Sequence, residues 1–247
     1  MLKDKSVVIT GSANGIGRYI AHRFAQEGAN VAILDIDEEK LAQVQTELLG
    51  FGGKAIAIPT NVRNEETVRV AMAEVAEKFN RIDILVNDAG IVPHFKWGGA
   101  RWPAIRDMDE NFFWNVMGVN LGGTFLCSKH ATPYMEQAGG GHIVNLYGGG
   151  GKSPAGALTY AVSKEAIVHF TDYHAEEVRD SNICVVAISP GAAIATENAP
   201  EEARSRMPGP ESAGDRFLLA SLAPMEMSGR LLDLNESGKL FVVNRNP

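Results

Sequence analysis

Tyr160 and Lys164 stand four residues apart in Thr159-Tyr160-Ala161-Val162-Ser163-Lys164, a spacing that sets both side chains on one face of a helix. A phenol has a pKa of about 10, too high for a base in neutral solution, but an ammonium beside it favours the phenolate and draws that value down. The pair is a candidate general acid/base. Such spacing is common in helices, and its meaning comes from two features upstream. The first is Thr10-Gly11-Ser12-Ala13-Asn14-Gly15-Ile16-Gly17, between a strand-like run and a helical one. Here one glycine permits a tight turn, a second lets backbone N–H groups approach a pyrophosphate, and a third lets helix pack on strand. The helix N-terminus then faces the phosphates. The second feature is Asp35, 18 residues beyond Gly17 at the end of the next strand. A carboxylate there accepts hydrogen bonds from ribose hydroxyls and repels a 2′-phosphate, which selects NAD(H) over NADP(H) as cofactor.

The elements that must hold these groups follow from the apolar pattern. Short β-branched runs at Ser6–Thr10, Val31–Leu34, Lys54–Pro59, Ile82–Asn87, Gly141–Leu146, Ile183–Ser189 and Leu231–Leu234 read as strands. Helical patterns follow Gly17 and cover Glu38–Leu49, Glu65–Phe79, Glu110–Met135, Tyr160–Asp180 and Pro210–Ala220. Strands apolar on both faces and alternating with helices predict a parallel sheet covered on both sides, an α/β doubly wound fold of Rossmann type. No linker or repeat divides residues 1–247, so one domain is expected. Residues 93–106, with Trp97 and Trp102, and residues 191–210 break the rhythm and read as loops over a substrate site.

Composition narrows the function classes. With 23 Lys+Arg against 30 Asp+Glu the formal charge is −7, which argues against nucleic acid or an anionic membrane as partner. A small molecule is the expected partner. Two cysteines, Cys127 and Cys184, read as buried thiols in a reducing compartment rather than a disulfide or a metal site. No apolar stretch reaches the ~18 residues of a membrane span, and Met1-Leu2-Lys3-Asp4-Lys5 leads into the first strand without a signal-like segment. A cytoplasmic location is expected.

Over nearly its whole length the chain resembles the short-chain dehydrogenase/reductase family, whose fingerprint is a Gly-x-x-x-Gly-x-Gly turn. Asn87-Asp88-Ala89-Gly90 is similar to the family's Asn-Asn-Ala-Gly, with Asp88 as a departure, and Asn61-Val62 to its adenine-contacting Asp-Val. The resemblance implies hydride transfer between NAD(H) and a secondary alcohol or ketone. It implies Tyr160 as acid/base, Lys164 as the group that holds the nicotinamide ribose and, together with the positive nicotinamide ring, tunes Tyr160, and Asn120 as anchor of a proton-relay water. Further cofactor contacts carried over are Asn87, Ala89, Gly90, Pro190, Gly191, Ile194 and Thr196, and the helices at Glu110–Met135 and Tyr160–Asp180 imply a homotetramer.

The resemblance fails at one catalytic position. About 13 residues before the tyrosine the family carries a serine that bonds the substrate oxygen, whereas this chain reads Asn145-Leu146-Tyr147-Gly148-Gly149-Gly150-Gly151. Losing one such donor costs on the order of 10²–10³ in rate. Tyr147 or Ser153 then supplies a replacement hydroxyl, or the glycines make room for a bulky cyclic or aromatic substrate, or the protein is a catalytically impaired NAD(H)-binding sensor or interaction protein. Tyr147, Gly148, His94 and Trp97 are the candidate substrate residues.

Overall fold

Val7, Val8 and Ile9 in β1 (Ser6–Thr10), and all four central residues of β2 (Asn30–Asp35), are buried without alternation. Such strands are covered on both faces and belong to a parallel sheet. The computed structural model describes residues 2–92, 103–148, 157–197, 199 and 201–244. Among these, eight strands form one sheet in the order β3-β2-β1-β4-β5-β6-β7-β8. The remaining strands are β3 (Ala55–Pro59), β4 (Ile84–Asn87), β5 (Gly141–Leu146), β6 (Ile183–Ile188), β7 (Leu231–Leu234) and β8 (Leu240–Val242). Neighbours from β3 to β7 run parallel, as expected. β8 corrects the expectation that the chain closes on a parallel strand, because it pairs antiparallel with β7. Its hairpin is built by Asn235, whose Oδ1 accepts from the amides of Ser237 and Lys239, a local turn chemistry that weak apolar patterning hides.

On one face α1 (Gly15–Gln26) and α2 (Glu38–Leu49) bury Ile20, Phe24, Leu41 and Leu48. The opposite face is covered by α3 (Glu65–Phe79), α5 (Gly123–Gln137) and α6 (Leu158–Glu177), through residues such as Met72, Val75, Cys127 and Met135. Two predicted helices are revised. The stretch expected as one helix from Glu110 is α4 (Glu110–Met117), a π-helical turn at Gly118–Gly122, and then α5. The stretch Pro210–Ala220 is a 3₁₀ turn at Pro210–Ala213 and α8 (Arg216–Ala220), parted by Gly214 at φ +55°. A four-residue helix, α7 (Glu201–Arg204), lies within the predicted 191–210 loop. Cys127 and Cys184 are free and buried, and burial pushes both thiols up, to about 12 and about 11. Among the described residues no helix is long and apolar enough to cross a membrane.

A buried polar ladder ties the sheet to its helices just below the strand ends. Asn87 Nδ2 donates to Asn145 Oδ1 at 2.8 Å and to Ser128 Oγ at 3.2 Å, and Asn145 Nδ2 donates to Thr171 Oγ1 at 2.9 Å. The ladder joins β4, β5, α5 and α6, the elements that carry the groups with chemistry. Asn87, expected at the cofactor, is thus turned into the protein interior. Replacing Asn145 by Ala leaves Asn87 and Thr171 each short of a buried partner, so Asn145→Ala should lower unfolding free energy by about 2–4 kcal/mol. Chemical denaturation at fixed protein concentration checks this, and a change below about 0.5 kcal/mol would show that the ladder contributes nothing.

Candidate active site

The turn after β1 is shaped by close backbone approach. Gly11 has φ +72°, and a Cβ added there would fall 2.7 Å from Ala89 Cα; at Gly17 it would fall 2.3 Å from the Gly11 carbonyl oxygen. Glycine alone fits either position. The Ser12 hydroxyl lies within reach of the Ile9 and Leu34 carbonyls, at 3.1 and 3.3 Å, so it braces the turn from inside. Asp35 Oδ2 accepts from the Ala13 amide at 3.1 Å and Oδ1 from the Ile36 amide at 2.7 Å. These bonds hold the carboxylate at the end of β2, beside the glycine turn.

A cavity of about 570 Å³ runs along the carboxyl ends of the strands from β3 to β6. It spans the point between β1 and β4 where the winding reverses, the usual ligand crevice of such sheets. Of the predicted cofactor residues, Gly11, Asn14, Gly15, Ile16, Asp35, Asn61 and Val62 line its first half. Ala89, Gly90, Tyr160, Lys164, Pro190, Ile194 and Thr196 line the rest, with Gly148 among them. Ser12, Gly17, Asn87 and Gly191 lie outside its wall. Gly191, at φ +86°, shapes the turn after β6 over the Arg216 guanidinium, against which a Cβ would clash at 2.4 Å. His94, Trp97, Trp102, Ser153 and Gly149 to Gly151 fall outside the described residues.

At the far end of the cavity Lys164, 2 % exposed, donates from Nζ to the Leu146 carbonyl at 3.1 Å. Its Nζ stands 5.9 Å from the Tyr160 ring centre. The Tyr160 hydroxyl donates to the Gly148 carbonyl at 3.4 Å and fills the space where a Cβ on Gly148 would lie, 2.1 Å away. Asn120, in the π turn, is fully buried. Its Oδ1 accepts from the Ile91 amide at 2.7 Å, and its Nδ2 donates to the Ile91 carbonyl at 3.2 Å and to Ser163 Oγ at 3.0 Å. Ser163 Oγ in turn donates to the Tyr160 carbonyl at 2.8 Å. The Asn120 amide therefore locks the turn after β4 to the helix of Tyr160, a use of a π turn at a working site. Asn115, in α4, instead accepts from Arg63 Nη1 at 2.6 Å on the surface. Tyr147 points elsewhere: its hydroxyl donates to Glu165 Oε1 at 2.7 Å and its ring packs with Val168 and Leu231, away from the cavity wall.

Electrostatics revise the expected tuning of the phenol. Burial, then the charge of Asp88, then Tyr147 push Tyr160 up to about 12, so the ammonium does not draw it down. Burial lowers Lys164 to about 8 against the opposing pull of Asp88. Asp88 itself rises to about 7, from burial first, with Asp35 adding and Lys164 opposing. The Gly17 amide donates to its carboxylate, while its Oδ1 has no partner among the described residues. An asparagine at this point, the family's residue, carries none of this charge. Ser163, Glu165 and the charged role of Asp88 were not singled out by spacing; the only sequence signal was that Asp88 departs from the motif.

A carboxyl raised from 3.8 to about 7 favours the folded state while protonated and withdraws that stability as pH climbs through about 7. Melting temperature followed from pH 3.8 to about 7 should therefore fall in the natural protein relative to Asp88→Asn. Parallel curves for the two proteins would contradict the buried carboxyl.

Comparison with known proteins agrees with this arrangement. The short chain dehydrogenase family model matches residues 5–206. A 3-oxoacyl-(acyl-carrier-protein) reductase of Thermotoga maritima is 36% identical over 219 residues, 84% of either chain. A short-chain type dehydrogenase/reductase from Mycobacterium marinum superposes with a TM-score of 0.84 at 31% identity, covering 95% of both chains. A 7α-hydroxysteroid dehydrogenase, solved with NADH and 7-oxo glycochenodeoxycholic acid, superposes at 0.82 with 30% identity, covering 96% of this chain and 95% of its own. With the glycine turn, the doubly wound sheet and the Tyr160–Lys164 helix in place, the chain belongs to the short-chain dehydrogenase/reductase family of oxidoreductases.

Proposed function

We propose that this protein transfers hydride between NAD(H) and a secondary alcohol or ketone. The observation that carries the reading is the convergence of Tyr160 and Lys164 on the same cavity as the glycine turn and Asp35. The residues fit a dinucleotide: the backbone cradle at Gly11 and Gly17 excludes any Cβ, and the Asp35 carboxylate beside it supports NAD(H), because a carboxylate accepts from ribose hydroxyls and repels a 2′-phosphate. Bound NAD(H) supplies or accepts the hydride. The chain handles the proton. In reduction the Tyr160 phenol gives its proton to the carbonyl oxygen as that oxygen gains charge, and in oxidation the phenolate takes the proton from the alcohol. Lys164, fixed to the Leu146 carbonyl, would hold the nicotinamide ribose.

A phenol held at about 12 keeps its proton at neutral pH, which favours ketone reduction and makes oxidation gain as pH rises. Gly148 leaves the substrate oxygen without the family's hydroxyl, and Tyr147 is committed to Glu165. The phenol therefore acts there without a side-chain hydroxyl from position 148. Exposed Trp114, Phe125 and Tyr173 on α4, α5 and α6 support a homotetramer built on those helices, and two buried free thiols suit a cytoplasmic compartment.

A panel of cyclic, aromatic and sugar-like alcohols and ketones, followed by reduced-nicotinamide absorbance, tests the reading. Tyr160→Phe should lower turnover by about 10²–10⁴ with NADH affinity unchanged, and NADH should bind more tightly than NADPH. Activity indifferent to Tyr160→Phe would refute the mechanism. NADH binding with no turnover on any member would instead favour the sensor reading raised by the missing serine. Gly148→Ala drives a methyl into the Tyr160 hydroxyl, and a displaced phenol should cost about 10²-fold in kcat. Unchanged kcat would show that the phenol works from another position.

A further inference from the structure

The N-terminal turn of α1 already holds an anion belonging to the protein. Glu197 Oε2 accepts from the Gly15 amide at 2.9 Å, across 182 residues of sequence. The contact is part of a seated segment. Thr196 packs so closely on Gly15 that an added Cβ would meet its methyl at 2.7 Å, Ile194 and Ala195 are buried, and the Ala195 amide donates to the Pro208 carbonyl at 2.9 Å. The N-cap residue Asn14 gives no side-chain bond to the first turn. Glu197 thus supplies to α1 the negative partner that its dipole and free N–H groups favour.

Resting on the dinucleotide reading above, we propose that Glu197 is a displaceable carboxylate plug, competing with the cofactor's pyrophosphate for the Gly15 N–H. One amide cannot serve both anions, and two negative groups at that distance repel. Pyrophosphate binding therefore expels Glu197 and moves the segment carrying Ile194 and Thr196, which line the same cavity. The plug makes cofactor capture and rearrangement of this wall a single event. It also weakens the observed affinity by the fraction of molecules in which the plug is shut.

Glu197 is exposed, so its replacement leaves the fold intact. NADH titration by nicotinamide fluorescence, with Glu197→Ala and Glu197→Gln beside the natural protein, reads the competition. If the plug is shut in about nine molecules of ten, Glu197→Ala binds NADH about tenfold more tightly, and Glu197→Gln, which keeps an acceptor without the charge, falls between. Hydrogen exchange of the nucleotide-stripped proteins reads the contact itself: the peptide spanning Asn14 to Gly17 exchanges faster in Glu197→Ala. Equal or weaker NADH binding by Glu197→Ala overturns the plug, as does unchanged exchange. Failure of all three proteins to bind NADH, with exchange still altered, overturns the cofactor reading and the competition with it.

Discussion

The site depends on burying an ammonium. Lys164 is 2 % exposed and, among the described residues, has the Leu146 carbonyl as its acceptor. Taking that charge from water costs several kcal/mol unless negative groups share the space, and this chain provides one in Asp88, buried at the adjoining strand end with Oδ1 unbonded among the described residues. Each charge opposes what burial does to the other, yet burial prevails at both, leaving Asp88 at about 7 and Lys164 at about 8. Tyr160, drawn into the same low-dielectric pocket, feels burial and the Asp88 charge more than it feels the ammonium. The result is a phenol poised as an acid rather than a ready base. Such a site gains its base from a further positive charge or from a rise in pH.

The fold serves this arrangement through rigid connections. The ladder from Asn87 through Asn145 to Thr171 fixes β4 and β5 against α6, and the Asn120 clamp fixes the turn after β4 to the same helix. Tyr160 and Lys164 are thereby held from two sides. On the other side of the winding reversal the glycine turn and Asp35 are held by backbone contacts that admit no side chain at Gly11 or Gly17. Between these two rigid blocks lies the segment after Gly191, which closes the wall.

What was legible in the amino-acid sequence is what local chemistry decides. The seven parallel strands, the glycine turn with Asp35 beyond it, and the Tyr160–Lys164 face follow from periodicity and short spacings. Side-chain direction was less legible: Ser12 and Asn87 match motif positions yet bond inward, and Tyr147 turns to Glu165 instead of the cavity. The π turn at Gly118–Gly122 was hidden because an extra backbone residue barely disturbs the apolar pattern of a helix. The Glu197 contact with Gly15 joins segments 182 residues apart, and no spacing announces it. Asp88 was visible as a departure, but its electrostatic weight appears only once its burial is known.

The most direct test is the protonation of Tyr160 at a pH of about 10, the ordinary value for a phenol, read as the phenolate absorbance of the natural protein minus that of Tyr160→Phe. The difference should show no phenolate without nucleotide, and phenolate should appear when NAD+ saturates the protein. A half-ionised Tyr160 in the absence of nucleotide, or no phenolate gained with NAD+, would contradict the account.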